Sequence, residues 1–384
     1  MRVLFTCFPQ AGHIAPLLPL AEAFAAQGDE VLLASGPDAE TSAVSRGIAF
    51  RRATPGFGDW YEALVRRTRG VPGDGLAPER VEGYFLPRLF GEVGVALTVD
   101  GLLAAAREFG PDLIVFDPVL FAGPLVAAVL GVPAVQHTVG PLTDAQVLDL
   151  VADAVSPIWR EFGLDVPPAA GVYEGTTVTI CPASLDPSAA LIRRVQPLRP
   201  ASRLQAPPPL PVQLALADAP IVYLTLGTFS NNLNVFRKLL DALADEPFNI
   251  VATIGTDNDP SDLAPLPRNA VVERYIPQAE LLPHCTAAVH HAGAGTTFGI
   301  LAHGLPSVAV PQSADNFRIA ELLDRAGAAT RVTPGDIDHA TIRSSFLEAV
   351  SESHYRRAAV KLAEEIASMP SAEEVARRLR DAIG

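Results

Sequence analysis

A glycine-bearing turn that leads into a helix is the part of the sequence best suited to hold an anion. The apolar, β-rich residues 287–290 predict a strand that ends at this turn, and residues 296–302 predict the helix after it. The first N–H groups of a helix have no acceptor within it, and the helix dipole adds positive potential there, so phosphate groups bind at such starts. Additional side-chain donors at this place are His291, Thr296 and Thr297.

The glycine spacing separates this turn from two known phosphate-binding motifs. Gly293, Gly295 and Gly299 are spaced GxGxxxG near the C-terminal end of the chain, unlike the GxGxxG that opens a Rossmann dinucleotide domain. No lysine follows the glycines, as one does in a P-loop. A diphosphate here would be held by amides, hydroxyls and an imidazole. An ordinary strand-to-helix turn is the alternative that the pattern leaves open.

The first strand-turn-helix unit is a second place for chemistry. Residues 2–8 predict a strand and residues 14–27 a helix, with His13 at the mouth of the turn, where open α/β sheets bind ligands. Imidazole titrates near neutral pH, which suits a general base. Asp117 follows another predicted strand and is a candidate to orient that imidazole. A histidine bonded to its local backbone and an aspartate that caps the next helix are the alternatives.

Strands and helices alternate in two series that position these residues. The first series predicts a doubly wound parallel sheet, and the second repeats the pattern after residue 220. Seven prolines between residues 196 and 220 predict a semi-rigid linker. The predicted organisation is an N-terminal domain (1–200), a linker (201–219), a C-terminal domain (220–369) and a final amphipathic helix within 370–384.

Residues 54–87 interrupt the first series with four prolines and six glycines. These prolines and glycines predict an irregular segment, and long irregular segments inside compact domains are usually functional or mobile. Its aromatic residues, and one on the predicted helix 142–162, would offer apolar surface to a flat small molecule. These candidates are Phe57, Trp60, Tyr61, Tyr84, Phe85 and Trp159.

Composition and charge exclude several classes of protein. Of 384 residues, 49% are hydrophobic and 19% charged, which predicts two compact domains rather than a disordered chain. A net charge of −14 argues against nucleic acid as a partner, and no uninterrupted apolar stretch predicts a membrane span. The cysteines, Cys7, Cys181 and Cys285, are far apart and lack CxxC spacing, so we expect no disulfide or zinc site and a cytoplasmic location.

Two patterns raise the question of a metal. The DxD-like triplet at residues 257–259 could hold a divalent cation beneath a nucleotide, although with Pro260 it more commonly makes a turn. Four histidines also cluster in sequence, but neighbours on a strand face opposite sides of a sheet. They are His284, His290, His291 and His303. We therefore expect structural or anion-binding roles and no metal requirement.

The string RYIPQAELLPHCTAAVHHAGAGTT, followed by HGLPSVAVPQSADN, resembles the donor-sugar signature of glycosyltransferase family one. The likeness is strongest to bacterial enzymes that decorate antibiotics and other natural products. FPQAGHIAPLLPLA, near the N-terminus, is similar to the motif that carries the family's general base. The resemblance implies an α/β protein of GT-B fold, in which two Rossmann-like doubly wound domains face a central cleft. It also implies that the final helix returns to the N-terminal domain.

The resemblance assigns roles to single residues. His13 would deprotonate the acceptor hydroxyl, and Asp117 would stabilise the charged imidazole. The residues implied to line the cleft are Gly227 and Thr228, and those implied to receive the nucleobase and ribose are Tyr275, Ile276, Pro277 and Gln278. Those implied to bind the diphosphate are His291, Gly293, Gly295, Thr296 and Thr297, and those implied to meet the sugar are Asp315 and Asn316. Two positions depart from the family pattern. Ala292 stands where glycine is usual, and Asn316 stands where many relatives have the longer Gln, which would be compatible with a deoxygenated sugar.

The function implied is that of a metal-independent, inverting glycosyltransferase. It would move a (deoxy)sugar from a dTDP- or UDP-sugar to a small-molecule acceptor such as a polyketide or another antibiotic aglycone. A nucleotide-sugar epimerase of the same fold, transfer to carbon instead of oxygen, and an inactive scaffold remain as alternatives. The expected partners are the acceptor and the nucleotide sugar, with no further cofactor, and the chain would be a monomer or a homodimer.

Overall fold

The computed structural model describes residues 1–68, 73, 76, 80–200, 209–210, 218–227, 232–313 and 315–383. The chain forms two compact units, which are unit 1, Met1–Ala201 with Met369–Gly384, and unit 2, Ser202–Ser368. Most of the predicted linker, and most of residues 69–79, lie outside the described residues.

Unit 1 contains a parallel sheet. Its strands are β1 (Arg2–Thr6), β2 (Glu30–Ser35), β3 (Ala49–Arg52), β4 (Leu113–Phe116), β5 (Ala134–His137), β6 (Thr176–Thr179) and β7 (Val195–Pro197). They are ordered β3-β2-β1-β4-β5-β6-β7, and every neighbouring pair is parallel. The central strands β1 and β4 read as apolar runs because they are almost wholly buried, as strands of parallel sheets usually are.

The helices of unit 1 follow its strands along the chain. They are α1 (Ala11–Ala26), α2 (Glu40–Val44), α3 (Phe57–Thr68), α4 (Val81–Phe85), α5 (Gly94–Phe109), α6 (Ala122–Leu130) and α7 (Ala145–Glu161). A π-helical stretch, Leu86–Val93, joins α4 to α5 without a break. This alternation confirms the predicted α/β architecture.

The prediction that residues 54–87 are irregular is wrong for much of the segment, since α3 and α4 lie within it. The cause is tertiary packing. Trp60 and Leu64, one turn apart on α3, are buried in the core of unit 1, and the Asp59 carboxylate accepts the N–H of Gly56 at the start of the helix (3.1 Å). These contacts outweigh the surrounding glycines and prolines.

The continuous helical run Val81–Phe109 is the one described segment with the length and apolarity of a membrane span. However, 61% of its most apolar window is buried inside the protein. The run includes Val99 and Leu102, which belong to the core of unit 1, so packing within the protein accounts for its apolar character.

Unit 2 repeats the design with six parallel strands. They are β8 (Ile221–Thr225), β9 (Asn249–Thr253), β10 (Ala270–Glu273), β11 (Cys285–His290), β12 (Ser307–Ala309) and β13 (Ala329–Arg331), ordered β10-β9-β8-β11-β12-β13. The helices are α8 (Leu233–Ala242), α9 (Gln278–Leu281), α10 (Ala294–Ala302), α11 (Asn316–Arg325), α12 (His339–Ser351) and α13 (Ser353–Ser368).

Each sheet has a switch point at which the strand order reverses. In unit 1 the chain runs from β1 toward β3 and then restarts beside β1 with β4, and in unit 2 it restarts beside β8 with β11. Open α/β sheets bind ligands outside the carboxyl ends of the strands at such points, because the flanking connections diverge there. The two switch points are therefore the first places to look for a site.

The last helix, α14 (Ala372–Ile383), belongs to unit 1 and packs on α1. The Gln27 side-chain amide donates to the Glu373 carbonyl (2.8 Å), and the Arg380 guanidinium pairs with the Asp29 carboxylate. The apolar face of α14, with Val375 and Leu379, is buried.

Candidate functional site

His13 and Asp117 meet at the switch point of unit 1. β1 ends at Thr6 and pairs with β4, which ends at Phe116, so the turn before α1 and the residue after β4 come together. His13 Nδ1 lies 3.0 Å from Asp117 Oδ2. A carboxylate can only accept, so Nδ1 carries the proton and Nε2 is left as the basic nitrogen. The His13 side chain is 19% exposed, which leaves the imidazole accessible to a substrate.

The Asp117 carboxylate is fully buried and held by the backbone. Oδ2 accepts the N–H of Phe8 (2.7 Å), and Oδ1 accepts the N–H groups of Val119 (2.9 Å) and Leu120 (2.8 Å). The aspartate therefore caps the turn before α6 and orients His13 at the same time, which combines the two roles considered from the sequence. These bonds fix the direction of the carboxylate.

An aromatic cluster lies beside His13. The Phe8 ring packs edge-on against the imidazole, with ring centroids 5.2 Å apart. It also contacts Phe57 (5.5 Å), Trp60 (5.0 Å) and Phe90 (5.1 Å). We call Phe8, Phe57, Trp60 and Phe90 the aromatic cluster. Phe90 was not predicted, because its place depends on the π-helical stretch that sequence patterns do not reveal.

The six aromatic residues predicted to face an acceptor divide into two groups. Trp60 is 0% and Trp159 is 2% exposed, so both are core side chains and the prediction that they present surface is corrected. The reason is that each lies on the inward face of an amphipathic helix, α3 or α7. The others are at least partly exposed, with Phe57 in the aromatic cluster and Tyr84 against Phe85 (5.1 Å); they are Phe57, Tyr61, Tyr84 and Phe85.

In unit 2, the glycine-bearing turn that was predicted to bind an anion lies at the switch point between β8 and β11. Gly293 caps α10, whose first helical bond runs from the Thr297 N–H to the Gly293 carbonyl (2.9 Å). The N–H groups of Ala294, Gly295 and Thr296 precede that bond, so they have no acceptor within the helix. The site thus has a cluster of backbone donors that can hold an oxyanion.

His291 explains two of the predicted glycines. A Cβ added at Gly227 would lie 2.5 Å, and one at Gly293 2.2 Å, from His291 Nε2, so the imidazole fits only because both residues lack a side chain. Burial lowers the pKa of His291 to about 4, so the ring is neutral at pH 7. Its Nδ1 is buried and has no partner among the described residues. Thr228 lies outside the described residues.

The backbone at Ala292 accounts for the glycine that relatives usually carry there. Ala292 is buried with φ of 62°, the left-handed region, which costs a residue with a Cβ roughly 1 to 2 kcal/mol. Its N–H donates to His290 Nδ1 (3.2 Å), and His290 Nε2 lies 3.2 Å from the Ser307 hydroxyl. His290 is thus a brace for the turn.

The residues predicted for the nucleobase and ribose divide by exposure. Tyr275 is 63% exposed after β10, whereas Ile276 is buried. Pro277 caps α9, and the Gln278 side-chain amide donates to the Thr296 hydroxyl (2.9 Å) and the Tyr223 hydroxyl (3.3 Å).

Thr297 and Asn316 are enclosed. The Thr297 hydroxyl is buried and has no partner among the described residues. Asn316, at 6% exposure, lies at the start of α11 beside Asp315. When the Asn316 side-chain amide is oriented so that both its oxygen and its nitrogen have hydrogen-bond partners, the nitrogen donates to the carbonyls of Ser313 (3.0 Å) and His291 (3.3 Å). The side chain predicted to meet the sugar therefore ties the loop after β11 to α11.

The side chains of the DxD-like triplet form hydrogen bonds with nearby residues and a salt bridge. Asp259 accepts the N–H (2.9 Å) and hydroxyl (2.7 Å) of Ser261 and pairs with Arg274 (2.6 Å), while Asn258 donates to the Ile254 carbonyl (2.8 Å). Among the described residues, no group of three His, Cys, Asp or Glu side chains is arranged to hold a metal ion. His303 Nδ1 lies 2.8 Å from the Gly299 carbonyl, so it is engaged by its own helix.

Comparison with known proteins finds glycosyltransferases of antibiotic pathways. Residues 89–196 match the N-terminal domain and residues 237–382 the C-terminal domain of the family described as erythromycin biosynthesis protein CIII-like. L-demethylnoviosyl transferase of Streptomyces niveus is 32% identical over 99% of this chain and 97% of its own length.

Two solved structures are similar over their full length. The glycosyltransferase SnogD from Streptomyces nogalater has a TM-score of 0.78 at 29% identity, over 100% of this chain and 99% of SnogD. SsfS6, a glycosyltransferase of Streptomyces sp. SF2575 complexed with thymidine diphosphate, has a TM-score of 0.79 at 25% identity, over 99% of each chain. These likenesses confirm the predicted GT-B fold and the predicted resemblance to natural-product glycosyltransferases.

Proposed function

The chain belongs to the erythromycin biosynthesis protein CIII-like family of glycosyltransferases, and from this premise we propose that it transfers a sugar from a dTDP- or UDP-sugar to a hydroxyl of a small natural-product acceptor. The observation that carries the proposal is the His13–Asp117 pair at the switch point of unit 1. An imidazole held through Nδ1 by a buried carboxylate presents Nε2 as a base that can take a proton from an alcohol.

In the proposed reaction, His13 Nε2 takes the proton of the acceptor hydroxyl while that oxygen forms a bond to the anomeric carbon. The bond from this carbon to the diphosphate oxygen breaks, and the nucleoside diphosphate leaves with the bonding electrons. Attack opposite the leaving group inverts the anomeric configuration. Asp117 stabilises the imidazolium that forms, in the manner of an orienting carboxylate.

The start of α10 is the proposed site of the donor diphosphate. The free N–H groups there and the Thr296 hydroxyl are available as neutral donors. SsfS6 is a relative crystallised with thymidine diphosphate, which supports a nucleoside diphosphate at this site and dTDP as the first nucleotide to test. We propose that these donors stabilise the leaving diphosphate without a metal ion, an electrostatic role that helix starts can fill.

The substrates are proposed from the surfaces near these groups. The aromatic cluster beside His13 favours an apolar, hydroxylated acceptor such as a polyketide aglycone. The engagement of the Asn316 amide by two backbone carbonyls favours a donor sugar that lacks a hydroxyl. The three cysteines are buried and are not joined in disulfides, which supports a reaction in the reducing cytoplasm.

A thermal-shift titration with dTDP, UDP and NAD, first in EDTA and then with magnesium, tests the donor site. A ligand at a hundred times its Kd stabilises the folded state by about 2.7 kcal/mol, so a diphosphate that binds should raise the melting temperature by a few degrees in EDTA. NAD should not. If neither diphosphate acts without magnesium, the metal-free donor site is wrong. Turnover of a nucleotide sugar without any acceptor would indicate an epimerase instead.

A further inference from the structure

We propose that Gln278 is a positioning residue, whose side-chain amide makes the Thr296 hydroxyl a fixed hydrogen-bond donor toward the diphosphate. The inference rests on the proposed function, because it concerns the same anion site at the start of α10. It changes the role that the family resemblance implies for Gln278, which is contact with the nucleobase and ribose.

The direction of the Thr296 hydroxyl follows from its one hydrogen bond. Gln278 Nε2 donates to Thr296 Oγ1 over 2.9 Å. A hydroxyl oxygen that accepts an N–H must point its own proton elsewhere. Among the described residues, Thr296 has no protein acceptor for that proton, so the proton is available to a ligand at the helix start.

Gln278 has no N–H left for a ribose hydroxyl. An amide nitrogen carries two hydrogens, and Nε2 faces two protein oxygens, the Thr296 hydroxyl at 2.9 Å and the Tyr223 hydroxyl at 3.3 Å. Both donors of the side chain are therefore used inside unit 2. A nucleotide could reach only its carbonyl oxygen.

The amide is held in this orientation by a buried network. Tyr223 is almost fully buried, and burial raises the pKa of its hydroxyl, so it stays protonated at neutral pH. The Tyr223 hydroxyl also shares a hydrogen bond with Thr253 Oγ1, 2.8 Å away, in which either oxygen can donate. The network joins β8, β9, α9 and α10, so several elements hold the Gln278 amide beside the Thr296 hydroxyl.

The ligand that this arrangement serves is an oxyanion. The Thr296 proton and the N–H groups of Ala294 and Gly295 all lie in the first turn of α10, so the site presents donors. A phosphate oxygen can accept several such bonds, and the fixed hydroxyl needs no reorientation when the charge on the diphosphate grows during transfer.

A double-mutant cycle on nucleotide affinity tests the inference. The variants are Gln278→Met, Thr296→Val and both together, measured by calorimetry with dTDP or UDP, whichever stabilises the wild type more. Loss of a bond to a charged group should weaken diphosphate binding by about tenfold or more in Thr296→Val. Gln278→Met should also weaken binding, and the double variant should match Thr296→Val within about twofold, as expected for residues that act as one unit.

The corresponding nucleoside, thymidine or uridine, separates positioning from direct contact. If Gln278 acts through Thr296 on the diphosphate, Gln278→Met leaves nucleoside affinity unchanged. An equal loss for nucleoside and diphosphate, or losses that multiply in the double variant, would overturn the inference. Gln278→Asn, which is one methylene too short to reach Thr296, repeats the test if the Met variant does not fold. Gln196→Met, a matched change on β7 of unit 1, should leave affinity unchanged.

Failure of the inference and failure of the proposed function give different results. If the wild-type protein binds neither dTDP nor UDP, the proposed donor site is wrong and the inference about Gln278 fails with it. If the wild-type protein binds a diphosphate but the two substitutions act independently, the donor site stands and only the proposed role of Gln278 is wrong.

Discussion

At the residue scale, one carboxylate shapes a turn and also prepares the proposed base. The bonds from Phe8, Val119 and Leu120 to Asp117 all come from the backbone of unit 1. The direction of the carboxylate, and through it the tautomer of His13, is therefore set by folding alone. A base that is oriented before substrate arrives avoids the cost of ordering it during the reaction.

We predict that His13→Ala lowers the rate of sugar transfer by a factor of ~10² to 10⁴, the usual contribution of a general base. The side chain is partly exposed and its one hydrogen bond is to Asp117, so the melting temperature and diphosphate affinity should change little. Steady-state transfer and a thermal-shift titration measure the two effects. His339→Ala, at the exposed first position of α12, is the matched control. A His13→Ala variant with near wild-type turnover would exclude the proposed base.

The sequence allowed His13 and Asp117 to be proposed as partners, because both follow strands whose carboxyl ends meet at one edge of a sheet. The brace from His290 to Ala292 could not be foreseen. It depends on a left-handed backbone and on Ser307 of the neighbouring strand, and neither leaves a pattern in sequence. The same holds for the contact of Gln278 with Thr296, which joins residues on two helices.

At the element scale, apolar runs between turns indicate most strands, whereas no such run marks β7 or β13. Each has three residues and lies at a sheet edge, where pairing with one neighbour decides the conformation and three residues are too few to show a period. Helix α3 was missed for a related reason. Its one glycine, Gly58, and the glycines and prolines on either side of it suggest a loop, and burial of Trp60 and Leu64 supplies the stability that local propensity lacks.

The burial of α3 predicts different results for two aromatic substitutions. Trp60→Ala should cost about 3 to 5 kcal/mol of stability, because it leaves a cavity in the core of unit 1. Phe57→Ala, at the half-buried edge of the aromatic cluster, should cost less stability and raise the KM for the acceptor. Melting temperature and acceptor KM are the measurements. A Trp60→Ala protein of unchanged melting temperature but raised acceptor KM would restore Trp60 to the acceptor surface.

At the scale of the whole molecule, two buried histidines and one half-buried histidine make stability depend on pH. Burial lowers the pKa of His137 and of His291 to about 4 and that of His290 to about 3. Above their unfolded pKa of about 6.5, each is neutral in both states and costs nothing. Below pH 6.5 these histidines bind protons in the unfolded chain but not in the folded chain, so stability falls as the pH decreases from about 6.5 toward the lowered pKa values.

We predict that acid weakens unit 2 more than unit 1. Unit 2 contains His290 and His291, and unit 1 contains His137, so each drop of one pH unit within the window should shift the unfolding equilibrium by about a hundredfold and about tenfold respectively. Both tryptophans of the chain, Trp60 and Trp159, lie in unit 1, so their fluorescence follows that unit alone.

Urea titrations at about pH 7 and about pH 5.5, followed by tryptophan fluorescence and by circular dichroism, measure the two transitions separately. His290→Asn should reduce the pH dependence of the fluorescence-silent transition and leave the other unchanged. Equal slopes for both units would show that other groups dominate the acid response.

The position of α14 has a consequence for the order in which the protein is made. Unit 1 is completed by Met369–Gly384, yet its first 201 residues leave the ribosome before any of unit 2. While unit 2 is synthesised, at ~5 to 20 residues per second, the surface of α1 that later receives α14 has no cover, and Asp29 lacks Arg380. We therefore expect the nascent first unit to remain dependent on chaperones until the last helix emerges, and unit 2 to reach its native state first.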